Sequence, residues 1–175
     1  KMSLLNSVLK VFVGDKSKQD VKAIMPIVDK IKTFEAATAA LTDDALRAKT
    51  QEFKSRISEA CKALENSIAE LYSEADTTEN IDRKEDIYQE IDGLKDEVYT
   101  KTQEVLDAIL PEAFSVIKET AKRFVNNPQI EVTATPYDRE LSGSKDYVTL
   151  IDDKAFWANS WDAAGKPITW DMVHY

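Results

Sequence analysis

The sequence predicts a mainly α-helical protein with a small antiparallel β region, and three observations support this fold class. Apolar residues recur at spacings of three and four through most of the first 125 residues, as on one face of a helix. Only 4 glycines and 5 prolines interrupt the 175 residues. From residue 128 onward the chain contains three of those prolines, all three tryptophans and short alternating apolar runs, which are typical of strands and turns.

The N-terminal segment predicts a short amphipathic helix that ends at Gly14, since glycine commonly follows the last turn of a helix. We take Met2, which follows Lys1, as the natural start. A polar joint and a second helix over about residues 18–40 are expected next, with a kink at Pro26. The apolar stripe of the first helix comprises Leu4, Leu5, Val8, Leu9, Val11 and Phe12.

Residues 42–109 predict a long antiparallel helical hairpin. Thr42 is a suitable N-cap, and two acidic residues follow it at the positive end of the helix dipole. We interpret both apolar seams as packing surfaces, and Cys61 as a buried, unreactive thiol. The first helix carries the seam Leu46, Thr50, Phe53, Ile57, Ala60, Leu64, Ile68 and Leu71, and the second carries Ile81, Ile87, Tyr88, Ile91, Leu94, Val98, Val105 and Ile109.

The remaining chain predicts one more helix and then β-hairpins. Pro111 is expected at the first position of a new helix that ends before Pro128. No further helix is expected in residues 126–169. Strands are predicted at residues 130–134, 147–151, 155–161 and 167–170, and Gly165 is predicted to occupy the left-handed position of a turn. We expect the tryptophans to form the small core of this sheet.

Charge divides the chain into a basic head and an acidic body. The net charge is −9, yet residues 1–34 contain seven lysines and three aspartates, whereas residues 35–110 contain nineteen acidic and nine basic residues. A basic head of this kind is either an interaction segment for an anionic membrane or acidic partner, or a solvated helix face. The acidic balance disfavours nucleic acid as a partner. With one cysteine and no long apolar run, we expect a soluble, intracellular chain.

The residues present no recognisable catalytic or metal site. His174 is the only histidine, and the adjacent acids Asp43–Asp44 and Asp152–Asp153 point to different faces of any regular element. Four widely spaced glycines cannot build a phosphate-binding loop. From the residues alone we expect a helical binding or structural module.

Three stretches carry a resemblance to a known family. Residues 41–54 read LTDDALRAKTQEFK, residues 110–123 read LPEAFSVIKETAKR and residues 170–175 read WDMVHY. In this order they resemble the N-terminal region of SecA, the motor ATPase of bacterial protein export. Residues 58–109 and 126–169 depart from the usual pattern as insertions.

The resemblance implies a division of the chain into five parts. It also implies that Met172 and Tyr175 flank the adenine pocket of the parent protein, whose phosphate-binding loop lies beyond this chain. The five parts are N-terminal amphipathic and scaffold helices (2–57), an inserted acidic hairpin (58–110), a helix leading to the motor core (111–125), an inserted β-rich segment (126–169) and the start of the adenine-recognising region (170–175).

The same resemblance implies a function for the parent. It would bind ATP and Mg²⁺ and use hydrolysis to drive preproteins through the SecYEG channel, while this piece binds no cofactor and is catalytically silent. The parent would be cytoplasmic and peripherally associated with the inner face of the cell membrane, with homodimerisation as a further contact. The alternative is a free-standing helical adaptor. Membrane or channel contacts are implied for Leu4, Leu5, Val8, Leu9, Lys10, Phe12, Lys16, Lys18 and Lys22.

Overall fold

The computed structural model describes the backbone of residues 4–169 and the side chains of residues 18–169. Three long helices dominate it: α1 (Leu4–Ala39), α2 (Asp43–Thr77) and α3 (Ile81–Asn126). Short strands follow toward the C-terminus. The predicted fold class, mainly α with a small antiparallel β region, is therefore confirmed.

Helix α1 is continuous, so the predicted helix end at Gly14 is wrong. A glycine inside a helix costs only about 1 kcal/mol relative to alanine, which good helix-forming neighbours offset. Pro26 lies inside α1, as predicted. The C-terminal part of α1 packs on α3: the Thr38 hydroxyl lies 2.8 Å from that of Ser115.

Helix α2 is capped as its sequence predicts, and it packs side by side with α3. The Thr42 side chain accepts a hydrogen bond from the Ala45 amide, and Asn80 caps α3 in the same way. Cys61 is buried, as expected, with its sulfur near the carbonyl of Val98. Farther along the pair, the apolar core consists of Ala75, Ile87 and Ile91, with Ile68 and Leu71 packed against it.

Three residues assigned to the apolar seams are exposed. They are Thr50, Ile81, which is the first residue of α3, and Tyr88, whose ring contacts that of Tyr72. Thr50 lines an open groove described below. Periodicity predicts the face of a helix on which such residues lie, but it does not predict how far a partner element covers that face.

Helix α3 runs through Pro111, so the predicted helix start at that residue is wrong. Proline removes one backbone hydrogen bond, a cost that packing around it can offset. Pro111 is buried, and the next residue, Glu112, hydrogen-bonds to Lys49 and Arg56 of α2. These contacts hold the helix on both sides of the proline.

The C-terminal region contains two small antiparallel sheets and a helix that the sequence reading missed. Helix α4 (Pro136–Ser142) begins with a capping box between Thr135 and Asp138. Gly165 has φ of 81°, as its predicted place in the turn requires. The strands are β1 (Gln129–Thr133), β2 (Val148–Ile151), β3 (Lys154–Ala158), β4 (Ser160–Ala163) and β5 (Lys166–Thr169).

The three-stranded sheet has the order β1-β3-β2, and β4 pairs with β5 separately. The predicted strand 155–161 is thus divided at Asn159 between two sheets. One sheet core is formed by Ile130, Val132 and Ala155, with Phe124 of α3 and Trp157 packed against it. No helix within residues 4–169 is both long and apolar enough to cross a membrane.

Candidate functional site

An open groove of about 1010 Å³ lies where α2, the end of α3 and the three-stranded sheet meet. Its lining combines apolar side chains with charged and hydroxyl groups. Apolar lining comes from Leu46, Phe124, Ile130, Val132 and Trp157, and polar lining includes Asp43, Asp44, Arg47, Lys54, Arg123 and Tyr137.

The strongest electrostatic feature beside this groove is the carboxylate of Asp138, which is fully buried. Arg47 donates two hydrogen bonds of 2.8 Å to its two oxygens, and the Trp157 indole donates a third at 3.0 Å. The Thr135 amide and hydroxyl also donate, each at 2.7 Å. Burial alone would raise the pKa of Asp138, but Arg47 and Thr135 outweigh it and hold the pKa well below its usual value.

A second cluster, centred on Arg123, joins all three long helices. Its guanidinium bonds to Asp43 at 2.6 Å and to Glu119 at 3.0 Å. It also donates to the carbonyls of Ala39 and Leu41, at and just beyond the end of α1. Burial alone would lower the pKa of Arg123. The hydrogen bonds to Asp43 and Glu119 raise the pKa by more than burial lowers it, so the side chain stays charged. Arg123 thus fixes where α1 ends relative to α2 and α3.

A third cluster surrounds Glu112, which is buried between helices. Lys49 donates to one carboxylate oxygen at 2.7 Å and Arg56 donates to the other at 2.8 Å. Glu52, on the same helix as these cations, pairs with both. Burial alone would raise the pKa of Glu112, but Lys49 and Arg56 outweigh burial and hold the pKa below its usual value.

Asp44 connects α2 to the sheet. Its carboxylate accepts from the Thr133 amide at 2.8 Å and from the Thr133 hydroxyl at 2.7 Å, and these bonds lower the pKa of Asp44. Each of the four clusters therefore satisfies its own charges internally. Among the described residues there is also no group of three or more metal-ligating side chains. This arrangement holds the helices and the sheet in fixed positions relative to one another.

Of the predicted site residues, the structure describes the side chains of Lys18 and Lys22, and neither lines this groove. Met172, Tyr175 and His174 lie outside the described residues. So do the side chains implied to contact membrane or channel, except those of Lys18 and Lys22, which are exposed. The remaining seven are Leu4, Leu5, Val8, Leu9, Lys10, Phe12 and Lys16.

Sequence reasoning missed the charged clusters. Only Asp138 had a local signal, the Thr-Pro-x-Asp pattern of a capping box.

A further surface is an apolar stripe on the outer face of α3. Phe114 and Ile117 are 50% and 61% exposed. Five exposed apolar residues of α3 follow one another at spacings of three, four or eight positions, so they lie along one side of the helix. We call this set the outer stripe, and it comprises Leu106, Leu110, Phe114, Ile117 and Val125. Contiguous apolar surfaces of this kind are typical of contact sites.

Comparison with known proteins identifies the family. A family model described as the SecA DEAD-like domain matches residues 9–146, more than half of the chain. A protein translocase subunit SecA from Christiangramia forsetii is 63% identical over 99% of this chain, and one from Flavobacterium psychrophilum is 55% identical over 99%. A third, from Phocaeicola vulgatus, is 47% identical over 93%.

No solved structure gives a significant match. The chain spans 16%, 16% and 15% of the three relatives, about one sixth of their length. The family match and the relatives agree along nearly the whole chain, and the chain belongs to the SecA family.

Proposed function

We propose that this chain is the N-terminal helical part of a SecA translocase that couples ATP hydrolysis to export of preproteins through SecYEG. The observation that carries the proposal is the 63% identity over 99% of the chain to a protein translocase subunit SecA. In this proposal the chain supplies scaffold and binding surfaces. ATP and Mg²⁺ bind elsewhere in the parent, with Met172 and Tyr175 beside the adenine.

The outer stripe supports a scaffold role. The first relative is about six times as long as the stretch that matches this chain, so most of the parent lies outside it. Phe114 and Ile117 are 50% and 61% exposed, and burying the exposed part of each would stabilise docking by about 1–2 kcal/mol. We infer that the outer stripe packs on the motor core of the parent.

The N-terminal half of α1 supports a membrane or channel role. Lys18 and Lys22 are exposed on the same helix as the apolar stripe that begins at Leu4. Each lysine that reaches an anionic surface adds about 1 kcal/mol of attraction. We infer that this half-helix attaches the parent peripherally to the cytoplasmic face of the membrane, beside the channel.

A chimera tests the proposal. The corresponding segment of the Christiangramia forsetii relative is replaced by this chain, and preprotein-stimulated ATPase and export are measured with SecYEG vesicles. We expect both activities to be retained. A folded chimera without either activity would contradict the proposal.

The outer stripe is tested in the same chimera by Phe114→Asp with Ile117→Asp. We expect this pair to abolish both activities because it places charge in an apolar contact. The control, Ile81→Asp with Tyr99→Asp, introduces the same charges at more exposed positions of α3 that precede the outer stripe along the helix.

Nucleotide binding is tested on the chain alone. Calorimetric titration with Mg-ATP should reveal no micromolar site, since the chain carries no phosphate-binding loop. Tight binding would refute the assignment of nucleotide chemistry to the rest of the parent.

A further inference from the structure

We propose that the open groove between α2, α3 and the three-stranded sheet binds an amphipathic monocarboxylate, that is, an aliphatic chain with one carboxylate at its end. The inference goes beyond the proposed function, which gives the groove no role. It depends on one cation in the groove lining, on the apolar side chains beside that cation and on the length of the groove.

All but one of the charged side chains that line the groove bond to other groups of the chain. The exception is Lys54, which is exposed and whose side chain makes no ion pair or hydrogen bond among the described residues. A single unpaired cation beside an apolar surface favours a ligand with one negative charge, because charge complementarity determines specificity. The lining residues that are already bonded are Asp43, Asp44, Arg47 and Arg123.

Two polar side chains next to Lys54 complete a site for the carboxylate. Thr50 and Gln51 precede Lys54 by four and three positions on α2, so the three side chains are neighbours on one face of the helix. Thr50 and Gln51 are also exposed. A hydroxyl, an amide and an ammonium group can all donate hydrogen bonds, and a carboxylate accepts several at once.

The rest of the lining suits an aliphatic chain. Its volume of about 1010 Å³ and its mixture of many apolar and a few polar side chains are typical of sites for small molecules. Each methylene that the groove removes from water should raise the affinity by up to about fourfold. The large apolar lining residues are Leu46, Phe124, Ile130, Val132 and Trp157.

The groove also limits the length of the chain that it can hold. From Leu46 to Lys54 it follows α2 for eight positions, or about 12 Å. An extended chain advances about 3.6 Å for every three bonds, so this distance holds roughly ten bonds. Decanoate has that length, and the tail of a longer carboxylate should reach beyond the groove into water.

Chain length tests the apolar part of the proposal in the full chain. Isothermal titration calorimetry measures the dissociation constants of octanoate, decanoate and dodecanoate, each below its critical micelle concentration. We expect one site per chain and an affinity about tenfold higher for decanoate than for octanoate, since an open groove buries most of each methylene. Dodecanoate should gain much less. The absence of a saturable site, or an affinity independent of chain length, overturns the proposal.

Removal of the cation tests the role of Lys54. Lys54→Gln should weaken the binding of decanoate by about fivefold and leave the binding of uncharged decanol unchanged, because only the carboxylate pairs with the ammonium group. The matched control is Lys62→Gln, the same change at an exposed position of α2 outside the groove. It should alter neither ligand. Equal effects of the two substitutions overturn the proposal.

Filling the groove tests the location of the site. Thr50→Trp adds bulk to the lining and should weaken both decanoate and decanol by more than tenfold, whereas Ser67→Trp, at an exposed position of α2 outside the groove, should weaken neither. Both substitutions are at exposed positions, and circular dichroism verifies that the variants remain folded.

Undiminished binding by folded Thr50→Trp overturns the proposal. So does binding that Lys18→Gln with Lys22→Gln weakens and Lys54→Gln does not, since the carboxylate would then lie on α1. A chain that binds no decanoate, while Thr50→Trp abolishes export by the chimera, also overturns it, because the groove would then hold another segment of the parent.

Discussion

The distal part of the helix pair and the proximal part of the molecule are held together by different forces. We call the distal part, residues 58–109, the arm and the proximal part, residues 28–57 and 110–158, the base. In the arm, an apolar core that includes Ile87 and Ile91 joins two helices, and the ion pairs are exposed. In the base, buried or half-buried charges link distant segments, as Arg47 links to Asp138 across 91 positions. The arm is therefore a local structure, whereas the base depends on long-range polar contacts.

This difference between arm and base indicates where substitutions should be tolerated. An apolar seam averages over many weak contacts, so loss of one side chain weakens it gradually. A buried ion pair that loses one partner leaves an uncompensated charge, which costs more than the pair contributes. We therefore expect the largest single effects in the base.

The largest effect is expected for Asp138→Ala. It removes the acceptor of five hydrogen bonds and leaves the Arg47 guanidinium without its carboxylate. We expect a loss of about 3–5 kcal/mol in the free energy of unfolding, measured by urea denaturation. Asp146→Ala, at an exposed position in the next loop, should change it by less than about 0.5 kcal/mol. Equal effects would contradict the contrast between buried and exposed charge.

The buried carboxylate of Asp138 should also make the free energy of unfolding depend on pH. The pKa of Asp138 is lower in the folded than in the unfolded chain, so its contribution is complete above the unfolded pKa of about 3.9. That contribution falls as pH drops below this value toward the folded pKa. The stability gap between wild type and Asp138→Asn should therefore narrow from pH 7 to about pH 3. A gap that stays constant would show that the carboxylate charge is unimportant.

In the arm, Ile91→Ala is expected to have the next largest effect. Ile91 is 0% exposed, and truncating a buried isoleucine typically costs about 2–4 kcal/mol. Ile81→Ala is the matched control, because Ile81 is 79% exposed on the same helix. Chemical denaturation should separate the two variants clearly. If they unfold alike, the arm is not held by its apolar seam.

The contrast also explains what the sequence could predict. Positions such as Ile87 and Ile91 follow a helical period, and that period alone identifies their face. The helix cap at Thr42 and the turn at Gly165 were predictable because a few adjacent residues determine each of them. Gly14 and Pro111 were misread as helix boundaries because local propensity was weighed without the surrounding helix or tertiary contacts.

The candidate site was less predictable than the fold. Nothing near Arg47 in the sequence indicates Asp138, and nothing near Arg123 indicates that it binds the end of α1. The capping box and Pro136 at the first position are local signals for helix α4. The helix was nevertheless missed, because its seven residues are too few to show a helical period. Long-range pairing of charges depends on the fold and leaves no periodic signal in the sequence.

A smaller effect in the base is expected for Glu112→Gln. The neutral amide keeps the shape but loses the charge that Lys49 and Arg56 approach at 2.7 and 2.8 Å. Since hydrogen bonds to charged groups contribute about 1.5–3 kcal/mol and part of the geometry remains, we expect a loss of about 1–2 kcal/mol. Thermal unfolding followed by circular dichroism measures it. Glu104→Gln, an exposed change on the same helix, provides the comparison and should be nearly silent.

The smallest effect is expected for Arg83→Ala in the arm, which mirrors the Glu112 cluster with the charges exchanged. One cation bonds to two carboxylates, Glu74 at 2.8 Å and Glu90 at 2.9 Å, but all three side chains are well exposed to solvent. Water and salt screen such pairs, and holding long side chains in place costs entropy. The melting temperature should therefore change by no more than about 1 °C, and this small difference should vanish at about 500 mM salt. A drop as large as that of Glu112→Gln would mean that exposed ion pairs hold the arm together, and the distinction between arm and base would fail.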